Sequence, residues 1–158
     1  GVECRAFLER ELPGWLEILH PTVGSRIGAA PALDSERYTE AIAERERLMG
    51  RVEELFEETD LLVLPTATIT PPLVSDLVDV DRYAQVNVKA LLPTCPVNLL
   101  GLCAITLPVG LDQSGMPVGL QLVARAGRDE TLLSAALAVE RALGSAKDRL
   151  GRPPCLVP

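Results

Sequence analysis

Aromatic residues and histidine are scarce in this sequence. Its 158 residues include two Phe, two Tyr, one Trp and a single histidine, His20. So few aromatic side chains, spread along the chain, cannot form the base-stacking platform that single-stranded nucleic acids require. The formal net charge of -7 also repels polyanions. We therefore expect no nucleic acid among the partners.

Metal-binding, redox and membrane signals are also lacking. The four cysteines, Cys4, Cys95, Cys103 and Cys155, form no C-x-x-C pair, so we expect no metal site and no cofactor. A chain of this length can bury a core without disulfides. No apolar run reaches the ~18 residues of a membrane span, and the first residues lack the order of a signal peptide. We expect a cytoplasmic protein that does not enter a membrane.

Motifs for nucleophilic catalysis are absent or incomplete. The sequence contains neither a G-x-S-x-G elbow nor a G-K-[ST] phosphate loop. Its serines stand beside turns, caps or helix faces, where a hydroxyl satisfies backbone groups. An independent cysteine hydrolase built on Cys95 and His20 stays open as an alternative, although no third group is evident to orient the histidine.

Hydrophobic periodicity predicts two substantial helices. Apolar residues recur every three or four positions from Asp34 or Ser35 to about residue 59, and again over 130–143, where Asp129 is the expected cap and Gly144 the stop. A shorter helix is expected over 1–12, followed by a loop that includes Pro21 and Gly28.

Strand signals occupy the middle of the chain. Residues 61–64 are a short apolar run stopped by proline, which predicts a strand buried on both faces. Residues 104–109 and 118–123 predict an antiparallel hairpin around the turn at 112–115, in which Pro108 requires an edge or a bulge. The prolines at 93 and 96 predict an irregular turn.

Several blocks of sequence resemble the amidase signature family. NLLGLCAITLPVG at 98–110, GMPVGLQLV at 115–123 and ETLL at 130–133 resemble the C-terminal segment of that family, and DLLVLPT at 60–66 looks like its strand ending in Pro-Thr. The resemblance implies an α/β fold, namely the C-terminal part of the amidase signature fold, with a twisted mixed β-sheet flanked by helices. Residues 1–158 would then form a single partial domain, with an extended tail at 151–158.

The resemblance also implies a function. Members hydrolyse or transfer amides with a Ser, cis-Ser, Lys triad on a Gly/Ser-rich signature in the N-terminal part of the protein, and that signature is absent here. The implied protein is the C-terminal portion of an amidohydrolase acting on a small-molecule amide, with no catalytic residue of its own and inactive alone. Its partner would be the missing N-terminal catalytic portion or a second copy of the chain. A non-catalytic structural or interaction subunit with the same partial fold is the alternative.

The same resemblance names candidate pocket residues. It implies that the strand end at Thr66 and the segment carrying Thr94, Cys95 and Asn98 form one wall of the acyl-side pocket. Leu91 stands where glutamine-dependent amidotransferase A subunits have an aspartate that recognises the substrate's α-amine. An unpaired ammonium group would be costly to bury there, so uncharged amides are the expected substrates.

Overall fold

A computed structural model of the chain describes residues 1–151, which form eight α-helices and three β-strands. They divide into two compact units, residues 1–48 with 73–86, and residues 49–72 with those from 87 onward. The prediction of one partial domain over 1–158 stays a prediction, and the predicted tail lies outside the described residues apart from Gly151. The elements are α1 (Val2–Glu11), α2 (Trp15–Ile18), α3 (Pro21–Gly28), α4 (Glu36–Leu55), β1 (Leu62–Pro65), a 3-10 turn (Val74–Leu77), α5 (Val80–Leu91), α6 (Thr94–Leu99), β2 (Cys103–Leu111), β3 (Pro117–Ala124), α7 (Asp129–Leu143) and α8 (Ala146–Leu150).

The first unit is held together by a bridge from α1. The guanidinium of Arg5 donates hydrogen bonds to the carbonyl oxygens of Gly28 (3.2 Å) and Ala30 (2.8 Å), and Ala30 is buried. The expected loop after α1 is wrong, because it contains α2 and α3. Pro21 occupies the first position of α3, where a helical N–H has no intrahelical acceptor, so proline begins this helix instead of preventing it.

The second unit is built on a three-stranded antiparallel sheet in the order β1-β3-β2. The predicted hairpin is confirmed as β2 and β3, and the register shifts between Pro108 and Gly110 on an edge strand, as the proline requires. The α/β fold class is confirmed. The three strands within residues 1–151 all pair antiparallel, so the mixed sheet that the resemblance implies is not seen in this part of the chain. Val63 of β1 pairs with Leu122 and so points to the α7 side of the sheet, but it is exposed because α7 packs chiefly on β2 and β3. Burial of β1 on both faces, as expected from its sequence, is therefore wrong.

One face of this sheet packs on α7. Leu122 of β3 is only 2% exposed and forms the core with Leu132 and Ala136 of the helix. The opposite face of β3 carries Gly119, Gln121 and Val123, because alternate residues of a strand point to opposite faces.

Helix α7 follows its predicted bounds but not its predicted cap. Asp129 is its first helical residue, and Arg128 stands at the N-cap without a side-chain hydrogen bond, so the expected cap is wrong. Leu133 and Leu137 are exposed, because this helix has one face against the sheet and its other sides unpacked. No helix within residues 1–151 is long and apolar enough to cross a membrane.

Candidate functional site

A cavity of about 590 Å³ opens beside the end of β1 in the second unit. One side is the segment that continues from the strand, and the other side is the β2–β3 hairpin. The lining is mostly apolar side chains and threonine methyl groups, and its volume is within the usual range of small-molecule pockets. It is formed by residues 66–72, Ala90, Thr106, Pro108, Asp112 and residues 117–119.

The segment 66–72 is positioned by backbone and side-chain hydrogen bonds. The N–H of Thr66 donates to the carbonyl oxygen of Gly119 (2.9 Å), one step beyond the last residue of β1. The Thr68 hydroxyl donates to the carbonyl oxygen of Lys89 (2.9 Å), which fixes the segment as it leaves the sheet. Pro71 and Pro72 supply no N–H for further strand pairing, so the chain continues as a wall of the cavity.

Two hydroxyl groups meet in this wall. The Oγ1 atoms of Thr66 and Thr106 are 3.1 Å apart, within hydrogen-bond distance. Thr66 was predicted as a site residue from the family resemblance. Thr106 was not predicted, because its contact with Thr66 depends on how β1, β3 and β2 align. The alternation of residues along the hairpin does indicate that Thr106 points away from α7.

Asp112 is the one charged side chain among the described residues that line the cavity. Its Oδ1 accepts hydrogen bonds from the N–H groups of Ser114 (2.8 Å) and Met116 (2.9 Å). Gly115 completes this turn with a φ of 77°, a conformation that favours glycine. The carboxylate therefore has a structural use in the hairpin, and no cationic side chain of the described residues lines the cavity to neutralise an acidic ligand.

The other predicted site residues lie on α6. Thr94 is half-buried and its hydroxyl donates to the carbonyl oxygen of Leu91 (3.2 Å), while Cys95 and Asn98 are exposed. None of these three residues lines the cavity. The structure therefore brings Thr66 together with Thr106 and not with the predicted residues of α6. Their role in binding stays a prediction.

The segment that carries these three residues is a helix, so the predicted irregular turn at 93–96 is wrong. Pro93 is the N-cap of α6, which makes Pro96 the third helical residue. N–H groups of a first helical turn have no intrahelical partner, so a proline there removes no hydrogen bond.

The alternative cysteine hydrolase gains no geometric support. His20 is the N-cap of α3, and its Nδ1 accepts from the N–H of Thr22 (3.4 Å), which is a structural use of the ring. Within residues 1–151, no three His, Cys, Asp or Glu side chains are grouped so that they could hold a metal ion.

Comparisons with known proteins show which proteins this chain resembles. The model of the Amidase family matches residues 16–133, a range that contains every residue lining the cavity. The 2-amino-5-chloromuconic acid deaminase of Comamonas testosteroni is 37% identical over 151 residues, which are 96% of this chain and 33% of that protein. The fatty acid amide hydrolase of Medicago truncatula is 37% identical over 114 residues, which are 71% of this chain and 19% of that protein.

Solved structures agree in fold. A crystal structure of an amidase superposes with a TM-score of 0.71 and 31% identity, covering 90% of this chain and 33% of that one. The chain therefore spans about a third or less of the length of these relatives, and the structural match lies over their C-terminal portion.

Proposed function

This chain belongs to the amidase signature family, and we propose that it supplies part of the substrate pocket of an amidohydrolase. The reaction adds water to an amide and yields a carboxylate with ammonia or an amine. By the family resemblance, the nucleophilic serine and its base belong to a Gly/Ser-rich signature that these 158 residues do not contain. We therefore propose that the chain alone hydrolyses no amide.

The observation that carries this proposal is the cavity at the end of β1. It lies within the matched range of the chain, beside the Pro-Thr strand end that the resemblance singled out, and it is large enough for a small amide. Its lining offers hydroxyl groups but no nucleophile with an adjacent base among the described residues. Such a surface suits binding of the acyl group better than chemistry at the carbonyl carbon.

The cavity lining favours an uncharged, apolar acyl group. An anionic acyl group would find only the Asp112 carboxylate as a charged neighbour, and burying an unpaired charge is costly. The two relatives differ in their named substrates, a fatty acid amide and 2-amino-5-chloromuconic acid. For this chain the lining supports a substrate of the first kind.

We propose that α6 contributes to the same pocket in the complete amidase. Thr94 would lie near the acyl group, with Cys95 and Asn98 shaping the wall beside it, as the family resemblance implies. Leu91 supports the choice of an uncharged amide, because it provides no carboxylate for an α-ammonium group.

The proposed partner is the remaining, N-terminal portion of an amidase, with a second copy of the chain as the alternative. In the second unit, Leu133 and Leu137 of α7 and Val63 of the edge strand expose large apolar side chains. Covering them would stabilise the unit by the hydrophobic effect. We propose the cytoplasm as the location, because Cys4, Cys95 and Cys103 are free thiols, as is usual in a reducing compartment.

Release of ammonia from hexanamide tests the catalytic part of this proposal. The purified chain is expected to release none above the buffer rate. Turnover that scales with the chain's concentration and persists through repurification would contradict the proposal, and Cys95→Ala and His20→Ala would then be the variants to test.

Binding of two matched ligands tests the pocket. NMR titration of the chain with hexanamide and hexanoate is expected to show that hexanamide binds at least about tenfold more tightly, because hexanoate brings an unpaired charge. The Thr66→Val variant should weaken hexanamide binding, while Thr131→Val, an exposed position on α7, should not. Equal affinities for both ligands would refute the proposed specificity, and binding of neither would favour the non-catalytic subunit.

A further inference from the structure

The hydroxyl pair in the cavity wall spans the whole width of the sheet. Thr66 directly follows β1 and Thr106 belongs to β2, yet these two strands are separated by β3. Their side chains meet on the face opposite α7, above Gly119 of the central strand. A pair across two strand spacings forms only where the residue between them leaves the space free.

Gly119 leaves this space because it has no side chain. A Cβ atom at this position would lie 2.7 Å from Thr66 Oγ1, 2.9 Å from Thr106 Cγ2 and 3.0 Å from Thr66 Cβ. A Cβ atom essentially never approaches another heavy atom more closely than 3.0 Å, so at least one threonine would have to move. The requirement is for space alone, because the φ of Gly119 is not positive.

We propose that Gly119 is a positioning residue that holds the Thr66 and Thr106 hydroxyls together as one hydrogen-bond donor for the carbonyl oxygen of a bound neutral amide. In a pair of hydroxyls, one donates to the other, and the accepting hydroxyl keeps its own proton for a third group. Among the described residues neither of these two hydroxyls makes another hydrogen bond, so the remaining proton is free for a ligand in the cavity. All three members of the proposed arrangement line the cavity.

This inference rests on the proposed function for its ligand but not for its geometry. A hydroxyl aimed by a second hydroxyl is preorganised, so binding costs less ordering of side chains. Gly119 would thus affect the affinity of the pocket through the two hydroxyls that it allows to meet. The two claims, that the hydroxyls are coupled through the space at Gly119 and that they bind an amide, can be measured separately.

The first measurement needs no ligand. Thr66→Val and Thr106→Val, alone and together, form a double-mutant cycle on the unfolding equilibrium constant of the full chain. In the native sequence the two hydroxyls are expected to be coupled by about two- to tenfold, the net worth of one hydrogen bond. In the Gly119→Ala background the coupling should disappear. No coupling in the native sequence, or equal coupling in both backgrounds, would overturn the proposal.

The second measurement is the affinity for hexanamide by NMR titration. Gly119→Ala is expected to weaken binding by about two- to tenfold. Gly110→Ala is the matched control, since Gly110 also belongs to the hairpin and an added Cβ there meets nothing within 4 Å. If the native chain binds hexanamide and the Gly119→Ala variant binds it equally tightly, the inference is overturned. If the two hydroxyls are coupled but the chain binds no hexanamide, the proposed pocket is overturned and the positioning role of Gly119 is supported.

A variant that removes the two closest atoms covers the case in which Gly119→Ala does not fold. The Gly119→Ala, Thr66→Ala, Thr106→Ala triple variant lacks Thr66 Oγ1 and Thr106 Cγ2, the two atoms nearest to the new methyl group, and is expected to recover folding. Failure to recover, when the Thr66→Ala, Thr106→Ala double variant folds, would contradict the spatial explanation for glycine at this position.

Discussion

Replacement of Leu122 by alanine tests the core that supports the cavity. Leu122 is 2% exposed in the central strand and packs with Leu132 and Ala136 of α7, and the same strand carries Gly119 towards the cavity. The substitution removes three carbon atoms, Cγ and the two Cδ methyl groups, from a well-packed position. Transfer of these carbons to water costs about 0.8 kcal/mol each, and the cavity left behind adds to this. We expect a loss of about 3–4 kcal/mol from the free energy of unfolding.

Leu133→Ala is the matched control, because the same side chain is shortened at a position of α7 that is 58% exposed. Its cost should remain within about 0.5 kcal/mol. Urea denaturation should be followed through NMR signals of β3, since Trp15, the single tryptophan, lies in the first unit and its fluorescence reports on that unit. Equal losses for the two variants would refute the packing of α7 on this face of the sheet.

Three further changes have definite expected outcomes. Asp112→Ala should destabilise the second unit by about 1–2 kcal/mol in urea denaturation, because two backbone N–H groups lose their acceptor; a loss no larger than that of Gln113→Ala would contradict this. The hydrogen bond that the Tyr38 hydroxyl donates to Glu3 (2.9 Å) raises the pKa of Tyr38, so its stabilising effect is present below the ordinary tyrosine pKa and is lost as pH rises through the raised value. Glu3→Gln should therefore lower the pKa of Tyr38 in an absorbance titration of a Tyr83→Phe background, and an unchanged titration would refute the assignment. In a complete amidase that contains this chain, Cys95→Leu should shift kcat/KM towards shorter acyl groups, by at most about 10–200-fold per methylene; equal losses for all chain lengths would remove Cys95 from the pocket.

Local sequence patterns account for the longer elements of the fold. Helices α4 and α7 follow their hydrophobic periodicity, and the hairpin follows the turn residues between Asp112 and Gly115, because each signal acts within a few residues. The short helices α3 and α6 were missed for a common reason. Pro21 and Pro96 indicate a break when they are considered alone, but a proline in the first turn of a helix removes no hydrogen bond.

The candidate site was only partly predictable from the sequence. Thr66 was found through its place after an apolar strand and the resemblance of that strand to a known family. Its contact with Thr106 depends on the register of three strands, in which two residues 40 positions apart meet over a glycine. Such a long-range arrangement leaves no local periodicity, so a structure was needed to show it.

Chemical-shift mapping of hexanamide on the isotope-labelled chain tests the central claim most directly. If the cavity at the end of β1 binds the acyl group of a neutral amide, the largest shifts will occur at residues 66–72, Thr106 and residues 117–119. Shifts confined to α6 would place binding at Thr94, Cys95 and Asn98 instead. An absence of saturable shifts at the cavity would contradict its role as a substrate pocket.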